Sequence, residues 1–79
     1  MDERQKRMRR ARAAERRAWD AWQRSPLPVG TQVEVTRDNG EVLLTKTRSE
    51  PWKLAEGTPV ILVEGIAGGY LLTRVRPVA

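Results

Sequence analysis

The sequence predicts a mostly β domain with one N-terminal α-helix packed against it. Three observations carry this reading. Residues 2–24 contain no Gly or Pro and consist mainly of Ala, Arg, Glu, Gln, Met and Trp, most of them good helix formers. From residue 31 onward, short β-branched segments alternate with turn residues: Asn39-Gly40, Pro51, Gly57, Gly65-Ile66-Ala67-Gly68-Gly69 and Pro77. Within that region Val60-Ile61-Leu62-Val63 is an uninterrupted apolar run, which reads as a strand with apolar contacts on both faces.

The helix is amphipathic. At about 100° per residue, Met8, Ala11, Ala14, Ala18, Trp19, Ala21 and Trp22 share an arc of about 160°. Lys6, Arg9, Arg10, Arg12, Arg16 and Arg17 take the other side, with Ala13 among them. Glu15 is an acid inside the apolar arc, and Arg4 and Arg7 also project into it. The C-terminal half is therefore expected to dock through Trp19 and Trp22, while the first two turns project or fray. Asp2 and Glu3 suit the positive end of the helix dipole.

Ser25-Pro26-Leu27-Pro28 ends the helix, because each proline biases its predecessor to extended geometry. Residues 25–30 form a stiff linker and residues 31–79 the β domain. In Thr31–Arg37, Val33 and Val35 alternate with Gln32, Glu34 and Thr36. Asn39-Gly40 then signals a hairpin. A two-residue loop there would set Asp38 opposite Glu41, Arg37 opposite Val42 and Val35 opposite Leu44, with Val33, Val35, Val42 and Leu44 on one face. The second strand continues toward Glu50 and stops at Pro51, after which Trp52 and Leu54 point the same way. Pro59 is acceptable as the first residue of the central strand. The glycine-rich loop 65–69 returns the chain as a strand from Tyr70 to Val75. Leu71 and Val75 share one face of it, and Tyr70, Leu72, Arg74 and Arg76 the other.

One helix and at least four short strands imply a small antiparallel barrel, Src-homology-3-like, since closure removes exposed edges. The alternative is a bent four- to five-stranded sheet packed by the Arg-rich helix. Either core is expected to bury Trp22 and Trp52 among Val35, Leu44, Ile61, Leu62 and Leu71.

Seventy-nine residues make one domain, and only 55 remain without residues 1–24. A domain of about 60 residues buries only ~60% of its unfolded surface, so helix packing or self-association has to supplement the core. No cysteine or histidine is present, which removes disulfides, thiolate metal sites and the commonest general base. The five glutamates of the β region are scattered, so neither catalysis nor a cofactor or metal is expected. No run approaches the ~18 apolar residues of a membrane span, and the Arg-rich start lacks the apolar core of a secretory signal. The absence of cysteine fits a cytoplasmic protein.

The net charge of +5 sits entirely on one arm. Residues 1–24 hold nine bases against four acids, whereas residues 25–79 hold six of each. Such asymmetry points to a polyanion, drawn by steering and counterion release.

The segments Thr47-Arg48-Ser49-Glu50-Pro51-Trp52-Lys53-Leu54 and Gly57 to Val75, with GTPVILVEGIAGGYLLTRV, resemble small proteins of temperate phages and prophages in GC-rich bacteria. The resemblance covers roughly the C-terminal 30 residues and brings no functional residues with it. It implies a bacterial host cytoplasm and a small binding protein acting on host machinery.

The candidate binding residues are Lys6, Arg9, Arg10, Arg12, Arg16 and Arg17 on the helix; the arginine guanidinium groups suit phosphate oxygens. The same pattern also fits a solvated face that keeps a small protein soluble. Tyr70, Arg74 and Arg76 form a second, basic–aromatic candidate strip. Trp19, Trp22 and Trp52 read as core before they read as a base-stacking platform. The glycine-rich loop lacks the Lys-Ser/Thr end of a phosphate loop. The expected function is non-enzymatic binding of DNA or RNA with little sequence preference. The alternatives are a protein-binding module, such as a phage inhibitor of RNA polymerase or a CRISPR effector, and an oligomeric structural protein.

Overall fold

The computed structural model describes residues 3–78, apart from the Arg7 side chain. Helix α1 spans Glu3–Arg24. Six strands follow: β1 Gln32–Thr36, β2 Val42–Lys46, β3 Trp52–Lys53, β4 Pro59–Ile61, β5 Tyr70–Leu71 and β6 Val75–Pro77, with a 3-10 turn at Leu72–Arg74 between the last two. They form two three-stranded antiparallel sheets, ordered β2-β1-β6 and β3-β4-β5. The expected helix and short antiparallel strands are present. The closed barrel is not, because neither sheet's hydrogen-bond ladder runs round to meet itself.

The last main-chain bond of the helix runs from the Ser25 N–H to the Ala21 carbonyl, 3.1 Å, and Pro26 follows. The expected start fits Glu3, while Asp2 lies outside the described residues. The linker is pinned. The Thr31 hydroxyl donates to the Pro28 carbonyl at 2.6 Å, and the Gly30 N–H reaches both the carbonyl and the hydroxyl of Thr47. Thr47 is the buried polar residue of the body.

The first hairpin corrects the expected register. Thr36 pairs with Val42, Val35 with Leu43, Glu34 with Leu44 and Val33 with Thr45. A two-residue loop of the expected kind needs positive φ at both central residues. Here Gly40 has it, at φ 88, and Asn39 does not. The loop therefore takes three residues, 38–40, with Gly40 in the left-handed region. The Gly40 N–H donates to Arg37 at 2.9 Å and the Arg37 N–H to Glu41 at 2.8 Å. Asn39 Oδ1 accepts the Glu41 N–H at 3.0 Å. A one-residue slip turns every side chain of the strand over. Val42 and Leu44 consequently face outward, 57% and 70% exposed, and Leu43 packs against the core. Asp38 and Glu41 do not face each other, since Glu41 lies across from Arg37.

The two sheets meet where β2 ends. Thr47 bridges Val63, the Arg48 N–H donates to Leu62 and the Glu64 N–H to Lys46. The expected strand Val60–Val63 thus divides: Val60 and Ile61 pair with β5, and Val63 pairs with Thr47. The last segment departs further. The 3-10 turn breaks the two-residue alternation after Leu71 and sets Leu72 and Val75, three apart, both into the core. Leu71 is left 40% exposed.

The core comprises Trp22, Val33, Val35, Ile61, Val63, Leu72 and Val75, with Ala18, Trp19, Leu27, Leu43, Ile66 and Tyr70 packed around it. Trp22 is buried as expected. Trp52 is not, at 38% exposure. It lies across from Val60 in the outer face of the second sheet, with Leu71 on Val60's other side. Gly69 makes the space for it: a Cβ there would sit 3.0 Å from Val60 and 3.1 Å from the Trp52 ring.

Candidate nucleic-acid interface

A 22-residue helix is about 33 Å long, more than the body can cover. Its C-terminal half packs against the 3-10 turn and β4, through buried Trp22 and half-buried Ala18 and Trp19. Ala14 and Glu15 are partly covered, and every described side chain from Glu3 to Ala13 is exposed. Those eleven positions extend about 16 Å. They carry Arg4, Lys6, Arg7, Arg9, Arg10 and Arg12 against the single acid Glu3.

Docking fixes which way the bases point. With Trp22 at the centre of the covered side, Arg9, Arg12, Arg16, Lys6, Arg17 and Arg10 occupy an arc of about 160° on the far side, and all six are exposed. Among the described residues the ion pairs are Arg74–Asp38 at 3.3 Å and Arg76–Glu34 at 2.7 Å. Neither uses a residue of the helix. These six cations thus face solvent.

The second candidate strip is dispersed. Tyr70 lies in β5, Arg74 in the 3-10 turn and Arg76 in β6, so strand alternation does not align them. Each is tied to the first hairpin. The Tyr70 hydroxyl donates to the Thr36 carbonyl at 3.0 Å, Arg74 meets Asp38, and Arg76 meets Glu34. The hydrogen bond to Glu34, with the charge attraction behind it, raises the Arg76 guanidinium above its ordinary value. These three side chains fasten the chain's end to β1 and its turn. Their two positive charges are already matched by acids that lie far away in the sequence.

Two features escaped sequence reading. The first is a cleft of about 730 Å³ where the helix leaves the body, with Met8, Glu15 and Trp19 on one wall and Lys53, Glu56 and Pro59 on the other. Lys53 Nζ stands 4.8 Å from the centre of the Trp19 ring across it, a cation–π contact. The second is the exposed pair Trp52 and Leu71 flanking buried Val60. Its signal was available in the shared parity of residues 69 and 71 and the small size of Gly69, once the β4–β5 register is known. The loop at 65–69 turns on positive φ at Gly65 and Gly68, and the Arg48 guanidinium holds its start through the Val63 and Ile66 carbonyls.

No described helix is long and apolar enough to cross a membrane. No family model, curated protein or solved structure matches the chain.

Proposed function

We propose that this chain is a non-enzymatic binding protein whose Arg-rich helix engages DNA or RNA through the phosphate backbone, with little sequence preference, in the cytoplasm of a bacterial host. The observation that carries this is the solvent-facing arc of Lys6, Arg9, Arg10, Arg12, Arg16 and Arg17, outside the two ion pairs among the described residues. A free cation releases counterions on meeting phosphate, whereas one already paired with a carboxylate gains less. Affinity for duplex DNA should then fall steeply with salt, at a slope of about −0.9 per phosphate neutralised. Changing Arg9, Arg12 and Arg16 together to Gln should flatten that slope by roughly two to three units while preserving the helix. Changing Arg74 and Arg76 to Gln should alter it by less than about one unit. Equal losses from both sets would mean a diffuse basic surface, and no binding at low salt would remove the reading.

The exposed Trp52 and Leu71 favour a second reading: a module, in the phage setting, that docks onto a host nucleic-acid-handling protein. Large aromatic side chains left half-exposed beside aliphatic ones are typical anchors of protein interfaces. A pull-down from bacterial lysate with and without nuclease separates the two. A partner lost on nuclease treatment favours the helix, and one that persists favours the Trp52 surface.

A further inference from the structure

One edge of the basic arc runs into the cleft. Arg12, Arg16 and Trp19 are spaced i, i+4, i+7, which sets them within about 60° of one another around the helix. All three line the cleft of about 730 Å³ beside the β3–β4 turn. Trp19 is half-buried: part of it packs against the core, and part lines the cleft. Lys53 Nζ stands over its ring, 4.8 Å from the centre. Lys53 is exposed, and its flexible four-carbon stem lets the ammonium swing aside. Among the described residues the lining sets Arg12, Arg16 and Lys53 against Glu15, Asp20 and Glu56. These charges cancel, so the cleft does not select a simple anion or cation. It suits a flat group that has N–H donors of its own and is joined to phosphates.

We propose that the cleft takes one unstacked base of a single-stranded nucleic acid, laid on Trp19, with the flanking phosphates on Arg12 and Arg16. This rests on the nucleic-acid reading of the helix and narrows it from any phosphate backbone to single strands. An indole presents a π-face on which every base stacks, so the site adds affinity without sequence preference. At 4.8 Å from the ring centre, the Lys53 ammonium leaves no room for a base beneath it. It leaves the ring as the base arrives and becomes a point charge for a neighbouring phosphate. The Glu15 and Glu56 carboxylates are acceptors for N–H groups on the base edge. A paired base would first have to leave its stack and its partner, so duplex DNA meets the arc alone.

Two strands of equal charge separate the base from the phosphates: oligo-dT of about twelve nucleotides, and an abasic strand of the same length. At the same low salt the full-length chain should bind oligo-dT about ten-fold more tightly than the abasic strand. Oligo-U run beside oligo-dT shows which sugar the site takes, and tighter binding than the abasic strand by either supports the site. Trp19→Leu should bring both down to the abasic level. Because Trp19 also touches the core, a second measurement keeps the folded ring in place. In Trp52→Phe, altered outside the cleft, Trp19 is the accessible indole beside buried Trp22. Its emission should be quenched by oligo-dT and not by the abasic strand. Equal affinity for the base-bearing and abasic strands, or no quenching by bound oligo-dT, would overturn the base site and leave the phosphate reading standing. So would a base preference that persists in folded Trp19→Leu. Binding of no strand, single or duplex, would remove both.

Discussion

The two halves of α1 share one periodicity and meet different fates. Residues 14–24 rest on the 3-10 turn and β4, with Trp22 only 7% exposed, while the described side chains of residues 3–13 stand in solvent. The difference lies in how much apolar surface each half offers. A tryptophan buries on the order of 200 Å², worth about 5 kcal/mol at ~25 cal/mol per Å² as an upper bound. An alanine methyl offers about 0.8 kcal/mol, too little to repay ordering a turn of helix and desolvating the arginines beside it. An amphipathic pattern states which side of a helix faces the body. How far along the helix that contact extends is decided by side-chain size.

The largest expected effect breaks the docked half. Trp22→Ala should cost about 3–5 kcal/mol, the range for emptying a large aromatic site, read from the urea midpoint. A loss below about 1 kcal/mol would place the docking energy elsewhere. Trp52→Ala sharpens the comparison, because this ring is 38% exposed and sits outside the main core. It should cost about 2–3 kcal/mol, short of Trp22, and a loss equal to that of Trp22 would make Trp52 a structural residue rather than a binding surface. The smallest effect comes from the free half. Deleting residues 1–10 should move the melting temperature of the dilute protein by no more than a few degrees, because these residues bury little. Its circular dichroism should lose only the corresponding helical signal.

Much of this was legible in the sequence, for local reasons. The helix, its end at Ser25-Pro26 and its division into Trp-bearing and Arg-bearing parts follow from propensity, proline geometry and periodicity. The hairpin at Asn39-Gly40 was legible, but its register was not. Asn-Gly serves both a two-residue loop and a three-residue loop ending in a left-handed glycine. The Asn39 side chain, bonded to the Glu41 N–H, accompanies the second, and Leu43 rather than Val42 and Leu44 turns inward. The end of the chain failed for a related reason. Strand alternation assigned Leu71 to the core, but a 3-10 turn at Leu72–Arg74 substitutes a three-residue step. The basic arc of the candidate site was readable because it depends on helical spacing alone. The Tyr70, Arg74 and Arg76 strip was not, because the carbonyl and the acids that hold these residues come from β1 and its turn, more than thirty positions away.

Trp22, near the base of the arm, is held by Leu72 and Val75, close to the other end of the described chain. About 50 residues separate the two, so this contact closes a long loop and carries the entropy cost that slows non-local folding. During synthesis the helix leaves the ribosome well before Leu72 and Val75, which seat it. At roughly 5–20 residues per second, the tryptophans wait for several seconds, exposed on a charged helix, before the surface that covers them exists. The arginines around them are then a protection: their like charges oppose association of nascent helices through that interval.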